Sequence, residues 1–418
     1  MHLIVFSPVL TPRIKYIFNF IFKEILKTEV EFTGNSQYYL QSKHIKITYA
    51  DQPLGDELFF KHTSFLLSNK LEEIQPRVTS FGDYQVPFPV QNSTLPFDIF
   101  AASFYFISRY EEYIYTQSGK ENFKASKSLQ FKINLLDRPI VDEWALILKS
   151  IVGKRHPEFR FSTKTFTAKP IVAVEVSPTI PAGFRNKLKF WSHALLNKNN
   201  TYFHGKFDQI TGLEVNPINV LDQLNPMLEK KSDRPIFFLN LPDVPQAFIP
   251  IEALGKVMQN HPIGLLRPCI DHPEKTKTFK ISAEILKLIQ PAQITKISLQ
   301  LDPLKFPTCY LNLVNLGIST DYSMGYNDVA GFRAGTCTPF SWYDLQLEKV
   351  TSLLINSYCL SSKYLTEIPY REAQNEVLKY SNTVRGVSGA FTICWSLKSI
   401  SGTEKYKKLT QLFHSVTT

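Results

Sequence analysis

The fold of this chain is decided by the stretch Asp321-Tyr-Ser-Met-Gly-Tyr-Asn-Asp-Val-Ala-Gly-Phe-Arg-Ala-Gly-Thr-Cys-Thr-Pro-Phe340. It contains three glycines, two aspartates, one arginine and three serine or threonine hydroxyls, and apolar runs flank it on both sides. Glycines let a backbone approach a ligand closely, so this composition is typical of the wall of a concave site. A pair of ordinary loops between strands has the same composition, and both interpretations are open at this point.

Length and composition indicate a globular protein of two or three domains. The chain has 418 residues, of which 44% are hydrophobic and 20% are charged, and this balance does not fit a disordered chain. The net charge is +10, which can favour nucleic acid or an anionic membrane surface. Because the lysines are scattered and no recognition motif accompanies them, we expect no nucleic-acid partner, and charge-driven binding stays a minor alternative.

Cysteine usage and the first residues predict a cytoplasmic location. The five cysteines form no CxxC pair and their number is odd, which argues against a disulfide framework or a zinc knuckle and for a reducing compartment. The segment 1–8 lacks the features of a signal peptide, and no uncharged run approaches 18 residues. We therefore expect neither export by this route nor a membrane span.

The first 160 residues predict an N-terminal α/β domain. The apolar run His2–Phe6 is typical of a buried strand, Thr11-Pro12 of a helix start, and Glu29–Thr33 of a second strand. The run that begins at Leu95 predicts a long helix with an aromatic face, and Arg138–Val152 predicts another helix. A β-α-β start favours an α/β domain over residues 1–160.

Strands and helices alternate in the second region, residues 165–418. The predicted strands are Ile171–Val176, Pro235–Leu241, Ile263–Leu266, Ile294–Leu301, Val350–Ile355 and Val387–Trp395. The predicted helices are Ala182–Lys198, Pro250–Gln259, Ser282–Ile289, Tyr310–Leu316, Tyr370–Val384 and Thr403–Ser415. This alternation favours a parallel sheet, closed as a barrel, with its working residues at the carboxyl ends of the strands.

Four segments carry a resemblance to a known family: PFDIFAASFYFISRYEEY, RPIVDEWA, DYSMGYNDVAGFRAGTCTPFSWYDL and GAFTICW. Together they resemble the polysaccharide deacetylases of NodB type, carbohydrate esterase family 4. The likeness is to the two-domain form with an N-terminal α/β domain that is common in Bacteroidetes-like proteins. It covers nearly the whole chain and implies that residues 165–418 form a distorted (β/α) barrel and that the protein belongs to carbohydrate metabolism.

The resemblance implies metal-assisted hydrolysis of an acetamide, but this chain departs from the family at the metal ligands. The family holds a zinc ion with one aspartate and two histidines, and the metal activates a water molecule. The positions that match these ligands are Ser177, Leu266 and, in a loose alignment, Gln300. Leucine cannot ligate, and serine replaces a carboxylate poorly. We therefore expect no bound metal cofactor.

The proton-transfer groups are also altered. Glu175 stands where the family has its base aspartate, and Arg333 matches the arginine that orients this base. The histidine that protonates the leaving amine is replaced by Ser396, which follows Trp395. Glu175 and Arg333 are thus the candidate catalytic residues that the resemblance leaves in place.

We interpret the chain as a catalytically impaired deacetylase-like protein that binds a glycan, an acetylated sugar or another partner. The candidate cleft residues are Asp321, Tyr322, Tyr326, Asp328 and Trp395. Tyrosines suit the stacking of sugar faces, although they also serve as ordinary packing residues.

The alternative hypothesis is an active metal-dependent hydrolase that removes N- or O-acetyl groups with a rearranged site. It requires zinc and the convergence of Glu175, Asp321, Asp328 or His272 on the ion.

Overall fold

The chain folds into two mixed α/β regions that pack against each other. In a computed structural model, residues 2–179, 183–196, 216–228, 234–291, 294–299 and 303–417 are described. No helix in these ranges is both long enough and apolar enough to cross a membrane.

A four-stranded parallel sheet forms the centre of the N-terminal region. Its strands, in the spatial order β2-β1-β3-β4, are β1 (Leu3–Phe6), β2 (Val30–Thr33), β3 (Ile45–Ala50) and β4 (Leu58–Lys61). A hairpin of β5 (Val78–Phe81) and β6 (Tyr84–Pro87) follows. The helices are α1 (Pro12–Phe18), which continues as a π-helix (Asn19–Ile25), α2 (Ser36–Gln41), α3 (Ile99–Ile107), α4 (Tyr110–Gln117), α5 (Leu129–Lys132) and α6 (Ile140–Arg155).

Local sequence signals account for the start of α1 but not for the break between α3 and α4. The Thr11 hydroxyl accepts a hydrogen bond from the backbone N–H of Ile14, and Pro12 occupies the first turn, as predicted. The single helix predicted from Leu95 is instead two helices, because Arg109 adopts a left-handed backbone conformation (φ 54°) between them. Such a break stops the backbone hydrogen-bond ladder and turns the chain.

A nine-stranded sheet forms the centre of the second region, in the order β13-β14-β12-β11-β10-β9-β8-β17-β15. Its strands are β8 (Ile171–Glu175), β9 (Ile236–Asn240), β10 (Ile263–Leu266), β11 (Lys296–Ser298), β12 (Thr320–Met324), β13 (Phe340–Asp344), β14 (Lys349–Ser357), β15 (Leu360–Ser361) and β17 (Ile393–Ser396). The short strands β7 (Thr167–Ala168) and β16 (Ala390–Phe391) pair with each other. The helices are α7 (Phe184–Leu196), α8 (Pro217–Leu228), α9 (Ile251–Met258), α10 (Pro273–Ile289), α11 (Thr308–Asn315), α12 (Ser362–Glu367), α13 (Tyr370–Gly386) and α14 (Lys407–Thr417).

The large sheet is strongly curled into a half-barrel. The rings of Phe238 on β9 and Tyr322 on β12 lie 5.3 Å apart, although β10 and β11 separate these strands. In a flat sheet three strand spacings would span about 14 Å.

The parallel α/β sheet that the sequence predicts is present in this region. Only β13, which pairs antiparallel with β14, departs from it, and the periodicity of the sequence did not predict β13.

One extended segment, residues 349–361, joins the two sides of the half-barrel. Its first part, β14, pairs with β12, and its last part, β15, pairs with β17. Between them the backbone N–H of Tyr358 donates to the carbonyl of Met324, and that of Cys359 donates to the carbonyl of Thr392. The same short piece of chain thus closes part of the gap between β12 and β17.

Core side chains are continuous between the two regions, and polar contacts also join them. One cluster of buried apolar side chains runs from the N-terminal sheet to the large sheet. The polar contacts between the regions include Arg13–Glu348, Tyr16–Ser341, Tyr113–Asp344, Gln130–Phe332, Asp142–Thr336 and Asp142–Thr338. The boundary between residues 160 and 165 stays a prediction, and the two regions on either side of it share one core.

A disulfide corrects the interpretation of the cysteines. Cys269 and Cys309 are bonded, with their Cα atoms 5.4 Å apart, while Cys337, Cys359 and Cys394 are buried and lie outside this disulfide. The sequence spacing of 40 residues hid this pair, because α10 and β11 bring its ends together only in the folded chain. The pair removes a main argument for a reducing compartment, on which the predicted cytoplasmic location rested.

Candidate functional site

A cavity of about 460 Å³ lies at the carboxyl ends of the strands of the large sheet. Leu299 follows β11, Ser323 and Gly325 lie at the end of β12, and Tyr358 follows β14. The other lining residues are Asn122, Phe123, Lys124, Pro303, Leu304, Tyr326, Asn327, Asp328, Arg333 and Lys363. Strand ends of this kind are where α/β proteins usually bind ligands.

Two other cavities of similar size lie away from these strand ends. One of about 510 Å³ is mainly apolar and lies between α1 and the β13–β14 pair, lined by Tyr16, Phe20 and Val350. Another, of about 500 Å³, belongs to the N-terminal region beside α4. The strand-end cavity is the one of these three that is lined by the stretch 321–340 at the carboxyl ends of parallel strands, and we take it as the candidate site.

Two glycines of the stretch 321–340 pack against protein rather than opening space for a ligand. A Cβ atom on Gly325 would clash with the ring of Tyr358, and one on Gly331 (φ 145°) would clash with Leu136. These residues are glycines because the loop lies directly on its neighbours at these two points. The loop nonetheless forms one wall of the cavity, as the sequence predicts for a concave site.

Arg333 is held by a residue that the sequence reasoning passed over. Its Nε donates to Oε1 of Glu112 at 2.9 Å and its Nη1 donates to the carbonyl of Gly325 at 3.1 Å. Nε of Arg109 also donates to Oε1 of Glu112, at 2.8 Å. Arg333 is therefore directed at a carboxylate of the N-terminal region and not at Glu175.

The carboxylate of Glu112 balances the charges of two guanidinium groups that are buried away from water. Glu112, Arg109 and Arg333 are all buried. Burial alone would raise the pKa of Glu112, but the two neighbouring guanidinium groups outweigh it and hold that pKa below its ordinary value. The sequence signal for such a buried ion pair is the carboxylate of Glu112, which stands among the aromatic residues of α3 and α4. Nothing in the sequence showed that its partner lies more than 200 residues away.

Tyr326 and Asp328, two of the predicted cleft residues, lie in the lining of the cavity. The Arg333 guanidinium lies over the ring of Tyr326, with its Cζ atom 5.0 Å from the centroid of that ring. The Tyr326 side chain is buried, its hydroxyl has no hydrogen-bond partner in the described part of the chain, and burial raises its pKa to about 12. Asp328 is exposed at the rim.

Asp321 and Tyr322 lie on opposite faces of β12, and neither lines the cavity. Asp321 is fully buried, where its Oδ2 accepts hydrogen bonds from the Tyr310 hydroxyl (2.9 Å) and the backbone N–H of Ser323 (3.0 Å). Burial raises its pKa to about 6. Tyr322 packs inside the half-barrel in an apolar cluster with Phe238 and Leu266. A strand alternates its side chains between two faces, so neighbouring residues have different surroundings.

Glu175 stands apart from Arg333, at the end of β8. Its side chain is exposed, and its Oε2 accepts a hydrogen bond from Nδ2 of Asn240 on the next strand at 2.6 Å. Ser177 is half-buried two residues further on. Leu266 is buried in the apolar interior of the half-barrel, and Gln300 lies outside the described residues.

Trp395 and Ser396 serve the packing and termination of β17. The indole of Trp395 is fully buried against Phe413. The Ser396 hydroxyl accepts a hydrogen bond from the backbone N–H of Ser399 and caps the helical turn that follows. Trp395 therefore lies in the core rather than in the cleft.

Arg267 is a residue of the strand ends that sequence reasoning missed. It follows Leu266 and is buried, and its Nη1 donates to the carbonyl of Leu241 at 3.2 Å. Within the described ranges its Nε and Nη2 have no hydrogen-bond partner. Burial lowers its pKa, and the nearby Asp243 and Glu175 oppose that shift. Its position directly after Leu266, at the end of a predicted strand, is the sequence signal that could have found it.

The residues named for a rearranged metal site are not brought together. Asp321 is enclosed by Tyr310 and Ser323, and His272 caps the N-terminus of α10 by accepting a hydrogen bond from the Glu274 N–H. Over the part of the chain that the structure describes, one group of three histidine or acidic side chains has its ligand atoms close together, and it belongs to the N-terminal sheet.

Comparison with known proteins gives a family for the N-terminal region only. Residues 3–157 match a family described as "Family of unknown function (DUF7033)". No curated protein sequence matches the chain. Among solved structures, the chain is similar to that of a "putative polysaccharide deacetylase" from Mycobacterium smegmatis, with a TM-score of 0.38 and 13% identity. That match covers 61% of this chain and 85% of the other. A likeness this distant does not identify an activity.

Proposed function

We propose that this protein is a deacetylase-like glycan-binding protein that has lost metal-dependent hydrolysis, and that the strand-end cavity is its sugar site. The observation that carries the proposal is the lining of that cavity. It joins the aromatic rings of Phe123, Tyr326 and Tyr358 to the polar groups of Asp328 and Lys363 in a space of about 460 Å³.

This lining suits a carbohydrate for two physical reasons. Sugar rings present apolar C–H faces that pack on aromatic rings, and tyrosine adds a hydroxyl to that surface. Their hydroxyl and acetamide groups need a few well-placed polar partners, which Asn122, Lys124 and Lys363 supply at the rim. The volume lies in the range of small-molecule sites, and we expect one or two sugar units to fit.

The surroundings of the residues that match the family's catalytic positions support binding without hydrolysis. Leu266 contributes only apolar atoms, the Ser396 hydroxyl is used in capping, and Arg333 is engaged with Glu112 instead of a catalytic base. These three residues therefore supply neither a set of metal ligands nor a positioned general acid.

Binding to N-acetylated oligosaccharides, measured by calorimetry or by saturation-transfer NMR, tests the proposal. We expect binding by the native protein and at least a tenfold loss in the variants Lys363→Ala and Asp328→Ala. Both side chains are exposed at the cavity, so the fold should tolerate the changes. Lys280→Ala is the matched control, because Lys280 is an exposed lysine of α10 that does not line the cavity.

Acetate release from the same oligosaccharides distinguishes the alternative hydrolase. We expect none, with or without added zinc. Zinc-dependent release that disappears in Glu175→Ala would overturn the loss of catalysis. Equal affinities in the native protein, the two cavity variants and Lys280→Ala would overturn the cavity as the sugar site.

A further inference from the structure

The N-terminal sheet brings two histidines and a glutamate together on one face. Leu3 on β1 lies opposite Ile45 on β3, so the preceding residues, His2 and His44, are neighbours across the two strands. The backbone N–H of Ile45 donates to the carbonyl of His2, which continues the pairing to this point. Glu31 on β2 lies opposite Ile4, two residues after His2, and shares its face.

The three side chains are in contact. The imidazole rings of His2 and His44 are stacked, with 3.5 Å between their centroids, and Nε2 of His2 lies 3.0 Å from Oε2 of Glu31. One ligand atom from each of the three residues falls within 4.8 Å of the other two. In a tetrahedral zinc site with bonds near 2.0–2.1 Å, ligand atoms are about 3.4 Å apart. Binding therefore requires side-chain rotations that bring the ligand atoms closer and turn the two stacked imidazoles toward one point.

A neighbouring residue orients the carboxylate. The Tyr38 hydroxyl, from α2, donates to Oε1 of Glu31 at 2.7 Å, which leaves Oε2 facing His2. Metal-binding carboxylates are commonly held by such an outer hydrogen bond. The side chains of His2 and Glu31 are about one-third exposed (37% and 34%), so an ion has access from solvent.

One charge on the same face opposes a cation. Lys46 lies two residues after His44 on β3, opposite Ile4, and its ammonium carries a positive charge. Its Nζ donates to the carbonyl of Leu40 at the end of α2 (2.7 Å), which ties it to that helix. The positive charge of Lys46 lowers the affinity that we expect for a cation, but Lys46 does not replace any of the three ligands.

We propose that His2, Glu31 and His44 form a binding site for a divalent transition metal, with zinc as the preferred ion. Two imidazoles and one carboxylate leave a fourth tetrahedral position for water, as in zinc sites with three protein ligands. Glu31 lies on β2, and His2 and His44 immediately precede β1 and β3, so a bound ion would tie these three neighbouring strands together. This site is independent of the strand-end cavity and of the proposed sugar binding.

Zinc titration of the full chain without a polyhistidine tag tests the site. Calorimetry is expected to show one equivalent of Zn²⁺ with a Kd in the micromolar range or tighter, and Co²⁺ is expected to give the visible absorption of a tetrahedral complex. The variants His44→Ala and Glu31→Gln should each weaken zinc binding by at least about tenfold, because each removes one of the three protein ligands. Zinc should also raise the Tm of the native protein and not that of His44→Ala.

The matched control is His156→Ala. His156 also pairs with a glutamate, Glu158, at 3.4 Å, but among the residues that the structure describes no third ligand lies beside this pair. We expect this variant to bind zinc like the native protein. Glu31→Gln keeps an acceptor for the Tyr38 hydroxyl, so its fold, checked by circular dichroism, should be intact. Zinc binding that is absent from the native protein, or equal in all four proteins, would overturn the proposal.

Discussion

Arg333 and Glu112 form a buried ion pair between the two regions of the chain. The guanidinium donates from Nε at 2.9 Å and also from Nη2, so both carboxylate oxygens are engaged. Arg109 donates to the same carboxylate. A residue that the family resemblance assigns to the orientation of a catalytic base is here part of the contact between the two regions.

Replacement of Glu112 by glutamine should strongly destabilise the protein. The change leaves two buried guanidinium groups without their shared counter-charge, and breaking a buried pair typically costs about 3–5 kcal/mol. Urea unfolding at neutral pH measures the loss. Because the folded pKa of Glu112 is lowered, its stabilisation is present above its ordinary value of 4.5 and is lost as the pH falls through the folded value. The difference between the native protein and the variant should therefore shrink in acid.

The control for this prediction is Glu143→Gln. Glu143 accepts hydrogen bonds from Arg138 in a half-exposed pair, and such pairs contribute less than about 1 kcal/mol. If Glu112→Gln lowers the free energy of unfolding as little as Glu143→Gln does, that result would contradict a buried charge network between the regions.

Asp321→Asn should change the pH dependence of stability in the opposite direction. Burial raises the folded pKa of Asp321 to about 6 from an ordinary value of 3.8, so the folded state favours the protonated form. The stability that this group contributes is complete below pH 4 and is lost as the pH rises through 6. Asparagine removes the titration and still accepts from the Tyr310 hydroxyl. We expect the native protein to lose about 1–3 kcal/mol relative to the variant between pH 4 and 7.

Urea unfolding of both proteins at several pH values between 4 and 7 provides this measurement. Parallel curves for the native protein and Asp321→Asn would show that Asp321 does not titrate in this range.

Gly325→Ala should disturb the cavity wall and destabilise the fold. The added methyl group meets the ring of Tyr358, and overpacking of this kind costs about 1–3 kcal/mol. Gly153→Ala is the control, because Gly153 lies in α6 with open space around its Cα, where alanine favours the helix. Thermal unfolding should show a lower Tm for the first variant and an unchanged or higher Tm for the second. The reverse order would mean that Tyr358 does not lie over Gly325.

Thiol counting should reveal the bond between Cys269 and Cys309. The chain has five cysteines, of which Cys337, Cys359 and Cys394 lie outside the disulfide and keep their thiols. In denaturant without reductant, Ellman's reagent should report three thiols, and five after reduction. Peptide mass spectrometry should find the 269–309 cross-link in the unreduced protein. Five thiols before reduction would restore the prediction of a reduced protein.

Sequence patterns predicted the elements whose signals are local. The strand at His2–Phe6, the capped helix after Thr11 and the strands Ile263–Leu266 and Ile171–Val176 were recognised from apolar runs and capping residues. Their alternation with helices also indicated the mixed α/β class. Such signals depend on neighbours within a few positions, which a sequence displays directly.

Features that depend on distant contacts could not be predicted in this way. The left-handed backbone conformation falls on Arg109 and not on a glycine, so the sequence does not signal it. This turn places the Arg109 side chain beside Glu112 and Arg333. The pairing of β13 with β14 and the disulfide likewise arise from the folded chain. Of the residues predicted for a cleft, Tyr326 lines the cavity, whereas Asp321, five residues earlier, is enclosed by Tyr310 and Ser323.

The second half of the stretch 321–340 is held from the N-terminal region, by the contacts of Phe332 and Arg333 and by a carboxylate further along. The Asp142 carboxylate, at the start of α6, accepts from the hydroxyls of Thr336 and Thr338 and from the backbone N–H of Cys337. A wall held in this way is pre-organised, and a ligand would meet it in its final shape with little further loss of chain entropy. We therefore expect selection by complementarity to a rigid surface, not by closure of a loop over the ligand.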